Sequence, residues 1–409
     1  MGILGVHLTM MIGPVLPVPA PFELTEALTG VEVTQSDGGR SGFQLTFQAG
    51  RSGPLDLVDY PLLLNPLLLK PFNRVVLVVT FDATPQVIMD GVITQISLSP
   101  NEQPGASTIT VMGEDVSVMM DMKDKVVPYP SMDDYTRVNF VLLPYVALFQ
   151  MIPVVLPTIF SKFPSPTEEI PVQTTTDLEY LNSMAQRHGY VFFVKPGPEP
   201  LTNVAYWGPP VRTGLPPPVG PMNFPQKTLS VNMGPASNVE SVSFHNDALA
   251  PTMYKGMIQD KKLNMPVPVF SLPLSTRVPL VPFPALIFNQ PNVRMKHLDV
   301  TPVEALMQGK DPHAKSAQGL DLADAMARAQ AQQEESTDRV VTASGTLDAL
   351  QYGGVLEARG IVGLRGAGFT YDGFYYVNSV THSIRKGEYK QSFNLSREGT
   401  GSLSPVLPP

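Results

Sequence analysis

Two distant stretches of this chain follow one plan, and that plan restricts much of the fold to antiparallel β-structure. The later stretch, Asp372 to Arg397, reads DGFYYVNSVTHSIRKGEYKQSFNLSR. Its first run is β-branched and aromatic, the residue types that suit a pleated, half-buried surface. A turn follows at Arg385-Lys386-Gly387-Glu388, where Gly387 is free to take φ > 0. The second run alternates, with Tyr389, Phe393 and Leu395 on one face and Lys390, Ser392, Asn394 and Ser396 on the other. That period of two predicts a strand with one buried face. The earlier stretch, Asp90 to Glu114, reads DGVITQISLSPNEQPGASTITVMGE. Both open with Asp-Gly after an apolar run, Val87-Ile88-Met89 or Phe369-Thr370-Tyr371. Both continue through a strand, a Gly-containing turn and an alternating strand to a Glu, Glu114 or Glu398. A further strand is expected upstream of each, Arg74 to Phe81 and Ile361 to Leu364. The expectation is one β-module used twice, with Gly91 matching Gly373.

Composition narrows the function classes. At 409 residues the chain is long enough for two to four domains. Only 16% of residues are charged and 43% are hydrophobic, a balance that suits surfaces covered by other proteins. A net charge of −8 argues against nucleic acid, which demands a basic face. The chain has no Cys, so neither disulfides nor thiolate chemistry are available. The apolar N-terminus has no Lys or Arg before Arg40 to make a secretory n-region, and its prolines break any membrane helix. It reads as an extended arm lying on this chain or a neighbour. The apolar run Phe140 to Phe160 is interrupted by Pro144, Pro153 and Pro157 and reads as a buried or interface segment.

Taken in order, residues 22–30 predict a short helix ended by Gly30. Strands follow at Val31 to Gln35 and Gly42 to Gln48, the latter with Phe43, Leu45 and Phe47 on one face. The Leu-rich, Pro-punctuated segment 55–72 reads as short turns. Asp121 to Tyr135 reads as a polar loop. Thr176 or Asp177 caps a helix in which Leu178, Leu181 and Ala185 recur at helical spacing and which Gly189 ends. Strands are expected at Tyr190 to Val194, Asn203 to Trp207, Thr228 to Met233 and Val239 to Phe244. Residues 208–227 read as a Pro-rich linker, and residues 263–300 show no periodicity. Asp321 to Glu335 predicts a helix from its Ala, Gln and Glu content. From Val340 the second module returns, through Val355 to Glu357. The tail, Ser402 to Pro409, is expected to be disordered.

With the motifs in this order, the chain resembles the late control protein D family, tail hubs of contractile phages and contractile injection systems. Gln173, Thr176, Asp177, Glu179, Tyr180, Leu181, Ala185 and Gly189 match that family's helix motif. Gly373, Tyr375, Tyr376, Val377, Val380 and His382 match its closing strand. The resemblance spans residues 22–400. It implies a mainly β fold with α+β insertions: two tandem tube-protein-like antiparallel β-barrels plus a small α/β insertion domain. The implied division is an arm at 1–24, a first barrel at 25–120, the α/β insertion at 121–225 and second-barrel strands at 226–262. A Pro-rich and helical insertion at 263–337, the rest of the second barrel at 338–400 and a tail at 401–409 follow. The implied role is a homotrimeric symmetry adaptor between a hexameric inner tube and a trimeric spike, touching baseplate wedge proteins. The resemblance also implies assembly in the cytoplasm as part of a phage tail-like particle, whose final location it leaves open. Related VgrG proteins continue into a spike, whereas this chain stops at residue 409, so the expected spike is a separate polypeptide.

Catalytic constellations are not expected. His7, His188, His245, His297, His313 and His382 lack metal spacing. His382 reads as a strand histidine bonded to a neighbour, and His188 as a helix-ending residue facing the last carbonyls. The Gly360 to Gly368 run, GIVGLRGAG, reads as turns between strands, and Asp133-Asp134 as a solvated loop. No catalytic, cofactor or metal residue is assigned, and no cofactor, nucleic acid or small-molecule substrate is expected. The alternative from another class is a secreted or membrane-associated, non-enzymatic binding module.

Overall fold

The computed structural model describes residues 6–403 apart from 15, 50–68, 82–83, 102, 104–105, 159–169, 211–225, 260–264, 274, 276–278 and 299–321. The Leu-rich segment, most of the Pro-rich linker and the final residues therefore lie outside the described residues.

The first half is built from β1 (His7–Gly13), β2 (Leu28–Ser36), β3 (Gly42–Gln48), β4 (Arg74–Phe81), β5 (Thr84–Ser99) and β6 (Thr108–Asp115). In space they run β2-β3-β6-β5-β4-β1, every pair antiparallel. β3 obeys its alternation, and Phe43, Leu45 and Phe47 are buried. β4 is apolar on both faces and is buried from Arg74 to Val79, as a continuous hydrophobic run should be. The N-terminal arm is not merely draped: β1 joins the sheet along β4 from Arg74 to Thr80. Helix α1 (Phe22–Ala27) ends sooner than the sequence suggests. Gly30 does not cap it but sits within β2, opposite Thr46.

The middle is a helix pair on a small sheet. α2 (Asp134–Phe149) starts inside the stretch expected to be a polar loop. Asp133 is its N-cap, accepting from the Thr136 N–H at 3.1 Å, so Asp133 and Asp134 are not a solvated loop pair. Pro144 lies within the helix. It leaves the Phe140 carbonyl without its helical donor on a side chain face that is exposed, where water can serve. β7 (Met151–Val155), β8 (Val191–Pro196) and β9 (Asn203–Gly208) form a sheet with β9 in the centre. Between β7 and β8 comes α3 (Asp177–Arg187), capped by Thr176, with Gly189 at φ 64° after its end. Trp207, fully buried, donates its indole N–H to the Leu181 carbonyl at 3.2 Å and anchors the sheet to α3.

The second half opens with β10 (Gln226–Ser230) and β11 (Ser241–Asn246). A satellite follows, made of β12 (Thr252–Gln259), β13 (Pro266–Phe270), β14 (Arg294–His297) and helix α4 (Leu322–Thr337). This three-stranded sheet falls in and around the region where the sequence shows no period, because prolines alternate with apolar residues along β13. The chain then returns through β15 (Val341–Asp348), β16 (Ile361–Arg365), β17 (Gly373–Arg385) and β18 (Glu388–Arg397). Val355 to Glu357, expected to be extended strand, is irregular. Tyr389, Phe393 and Leu395 are buried as the alternation requires. Ser396, expected on the outer face, is buried too. Strands from both halves belong to one thirteen-stranded sheet, and separate apolar cores lie under the two halves and inside the middle region.

Candidate functional site: a joined sheet with two free edges

The two halves repeat each other strand for strand. The order β2-β3-β6-β5-β4 recurs as β11-β15-β18-β17-β16. Register proves the correspondence more tightly than sequence does. In the first copy the β5–β6 ladder slips between Ile93 and Gln95, leaving Thr94 as a bulge. In the second the β17–β18 ladder slips between Val377 and Ser379, leaving Asn378 in the same role. Ile93 faces Gly113, which faces Phe43, which faces Val33. In parallel, Val377 faces Leu395, which faces Ala343, which faces Phe244. This register places Gly91 over Tyr375, two residues beyond the expected match with Gly373. Glu114 likewise corresponds to Ser396 rather than Glu398. The shared Asp-Gly openings are thus not equivalent, and Asp90 and Asp372 do different work. Asp90 is fully buried and takes a two-pronged ion pair from Arg74, at 2.7 and 2.6 Å. Asp372 accepts from the Ala367 N–H.

The copies are zipped together by β17 and β2. Val380 pairs with Gln35, Thr381 with Thr34, His382 with Val33 and Ile384 with Val31. β17 thus has β18 on one side and, on the other, β16 beside its start and β2 beside its end. The corresponding end of β5, Gln95 to Ser99, has β6 on one side and no strand on the other among the described residues. At the far end of the sheet, among the described residues, β11 pairs with β15 alone, and its outer edge has no strand beside it. Neither free edge carries the Lys or Pro that ordinarily blunts an unpaired strand: the stretches read QISLS and SVSFHN.

One face of the joined sheet is a field of small polar groups. Ser241 meets Thr346 at 2.9 Å, Ser243 meets Ser344 at 3.0 Å, Asn394 meets Ser379 at 2.9 Å and Thr34 meets Thr381 at 3.2 Å. These cross-strand pairs satisfy each other, and the same face carries Lys390, paired with Glu240 at 3.2 Å and Glu388 at 3.4 Å. The opposite face holds the cores of both halves.

Buried polar residues lock the copies to each other and to the middle region. Arg359, fully buried, donates to the carbonyls of Ser36 and Gly39 in the first half and stacks 4.2 Å over the Phe193 ring of β8. Asp115 lies close enough to Arg359 for an attraction, and burial nonetheless holds the Asp115 carboxyl above its ordinary value. The Arg74–Asp90 pair is clasped by Asn203 and by the Leu201 carbonyl, which belong to the middle region.

Most residues that carry the family resemblance are held in internal contacts. Gln173 is fully buried, accepts from Tyr129 at 2.6 Å and donates to Asp177 at 2.8 Å. Asp177 also accepts from Tyr145 at 2.7 Å and pairs with Lys125. Leu181 and Ala185 are core, and Tyr180 stacks on Tyr129 and receives the Arg137 guanidinium. His188 does not turn to the helix carbonyls. Its Nε2 bonds the Asp134 carboxylate, which Arg137 also pairs. Those partners hold the Asp134 carboxyl below its usual range despite its burial. His382 is a strand histidine bonded to a neighbour, with Nδ1 2.8 Å from the Tyr389 hydroxyl. Burial drives its pKa down to about 3, so it is neutral. The GIVGLRGAG run is strand β16 followed by a turn through Gly366 and Gly368 at φ 92° and 90°. Among the described residues no cluster of His, Asp and Glu could hold a metal ion. Among them, too, no helix is long and apolar enough to cross a membrane.

Sequence reasoning found the repeat but missed its true register and both free edges. A signal was present. Inward residues skip from Ile93 to Ile96 and from Val377 to Val380, where a regular strand would step by two. That matched change of phase marks the bulge in both copies.

No protein-family model and no curated sequence matches the chain. Solved structures do. A 43 kDa tail protein of prophage MuSo2 from Shewanella oneidensis superposes with a TM-score of 0.59 at 11% identity, covering 96% of this chain and 98% of that one. A tail protein from Neisseria meningitidis gives 0.57 at 11% identity, covering 97% and 98%. A component of the E. coli type VI secretion system, similar in structure to the phage T4 tail proteins gp27 and gp5, gives 0.51 at 10% identity, covering 93% and 77%. The likeness implied by Gln173 to Gly189 and by Gly373 to His382 therefore holds at the level of the fold: this chain has the architecture of phage tail proteins and of a type VI secretion component built on the same plan.

Proposed function

We propose that the chain is the structural hub of a contractile tail or injection-system baseplate. In this reading three copies form a ring that joins a hexameric inner tube on one side to a separate trimeric spike on the other, with baseplate wedge proteins around it. The repeat carries the proposal. Two modules per chain and three chains give six module positions, which is what a part between a six-fold tube and a three-fold spike requires. In this arrangement each module is a tube-protein-like barrel and the Ser/Thr face lines the bore. The chain is then a scaffold rather than an enzyme, and its buried ionisable residues serve cohesion. Light scattering on the purified chain tests the reading, with a mass of three chains expected. Electron microscopy of the same sample should show rings with a central hole. A dilute-stable monomer that no tube or spike partner assembles would overturn it.

A further inference from the structure

We infer that the outer face of the satellite sheet docks an amphipathic helix of a partner protein, one that carries an acidic residue within its apolar stripe. The surface is a property of the satellite and does not depend on the hub reading. The satellite is a single layer of three strands, in the order β13-β12-β14. Helix α4 covers its inner face, where Ala325 and Ala329 pack with Ile258, Val269 and Leu298. Alternation decides what the other face shows. Met253 is paired with Met295, and Lys255 with both His297 and Phe270, all in the opposite phase to Ile258 and Val269. Met257 shares that outer face. Met257 is 59% exposed, Met295 57% and Phe270 53%. The middle strand, β12, thus turns large apolar residues to both faces, a pattern that belongs to sheets covered on both sides. Among the described residues nothing covers the second side.

The occupant is set by what stands at the centre. Lys255 lies on the middle strand, between Phe270 and His297, with Met257 on one side and Met253 and Met295 on the other. It is exposed, and no carboxylate pairs with it among the described residues. A methionine and phenylalanine surface adapts its shape to incoming apolar side chains. A lysine at the middle of that surface loses water when it is covered and then requires an opposite charge. An apolar stripe with one carboxylate in it meets both demands. The same three strands already seat one helix, α4, so a second completes a helix-sheet-helix stack. A second copy of this face fits worse, because a two-fold contact would set Lys255 against Lys255, like charge on like.

Fluorescence anisotropy of the full-length protein with labelled peptides tests the assignment. The probe is a designed helix of about 18 residues with Leu at i, i+3, i+4 and i+7 spacing and a Glu in the middle of that stripe. A companion peptide differs only in carrying Lys in place of that Glu. The Glu peptide should bind the wild type about tenfold or more tightly than the Lys peptide. Lys255→Glu should invert the preference, and Met257→Ser with Phe270→Ser should abolish binding of both. The three positions are exposed and lie away from the core under α4, and circular dichroism and melts check that each variant folds. Should the double variant fail to fold, the inversion by Lys255→Glu still decides. If neither peptide binds, or if Lys255→Glu leaves their ratio unchanged, the proposal falls. Vesicles of phosphatidylglycerol and phosphatidylcholine form a further arm. If they bind through Met257 and Phe270 and the Glu peptide does not compete, the face meets lipid and the proposal falls. It falls equally if the double variant lowers the mass of the wild-type assembly in light scattering, since a second copy would then cover the face. The hub reading survives the failure of either peptide arm, because neither depends on the number of chains assembled.

Discussion

At the scale of single residues, the most telling group is the imidazole of His382. It sits with its Nδ1 against the Tyr389 hydroxyl, and its Nε2 finds no hydrogen-bond partner among the described residues. Burial lowers its pKa from 6.5 to about 3. The folded protein thus declines a proton that the unfolded chain accepts. Its contribution to stability is whole above about pH 6.5 and is lost as pH falls from there towards 3, at up to about 1.4 kcal/mol per pH unit. Unfolding free energies of the wild type and His382→Gln, measured at several pH values in that window, isolate the effect because carboxylates common to both cancel. The wild type should lose stability more steeply; equal slopes would mean the imidazole titrates normally. Close packing makes a second prediction at this scale. A Cβ on Gly113 would lie 2.3 Å from the Phe43 ring and 2.4 Å from the Val92 carbonyl, and a strand carbonyl cannot step aside. Gly113→Ala should cost about 1–3 kcal/mol in a chemical melt. Gly38, with nothing within 4 Å of its Cβ position, should accept Ala within roughly 0.5 kcal/mol.

At the scale of elements, the closing hairpin offers adjacent residues with opposite fates. Phe393 is 1% exposed in the core of the second module, and Ser392 stands on the outer face, opposite Thr346 on one side and Thr381 on the other. Phe393→Ala should cost about 3–5 kcal/mol, a large share of a domain's stability. Ser392→Ala should shift stability by less than about 1 kcal/mol. Thermal melts of the two variants would contradict the strand's facing if they proved equally damaging. Elements like this one were legible because their physics is local: β3, β4, α3 and the β17–β18 turn each follow from spacing and capping within a few residues. Other elements hid for identifiable reasons. α2 carries Pro144 and turns Phe140, Leu143 and Leu148 outward, which masks both its helical propensity and its amphipathic stripe. β12 and β13 present Met257 and Phe270 on an exposed face, so apolar residues point both ways and the period of two is lost. The register of the repeat hid because Thr94 and Asn378 change the phase within a strand, and the matching Asp-Gly pairs drew the alignment two residues away. The free edges were not legible at all, since an unpaired edge is a property of topology.

At the scale of the whole molecule, the question is whether the two modules act as one body. β17–β2 pairing makes their sheets continuous, yet strand pairing alone leaves a joint that could hinge. Arg359 removes that freedom. Its guanidinium binds the Ser36 carbonyl at the end of the zipped region and the Gly39 carbonyl beyond it, rests on Phe193 of the middle region and lies near the buried Asp115. This cation thus joins the Ala358–Gln35, Asn378–Asp37 and Gln86–Glu357 hydrogen bonds in tying the second module to the first, and adds a tie to the insertion between them. Replacing it removes two charge-assisted hydrogen bonds and leaves the buried Asp115 carboxyl without that attraction, a loss of roughly 1–3 kcal/mol. The loss should appear as broken cooperativity as well as lower stability. The wild type should melt in calorimetry with one main transition for the joined modules, whereas Arg359→Ala should separate it into two, the first module and the second unfolding apart. Arg359→Lys, which keeps a charge but loses the planar fork and the stacking, should fall between them. If Arg359→Ala lowered the transition without splitting it, the β17–β2 ladder would be sufficient by itself to couple the modules.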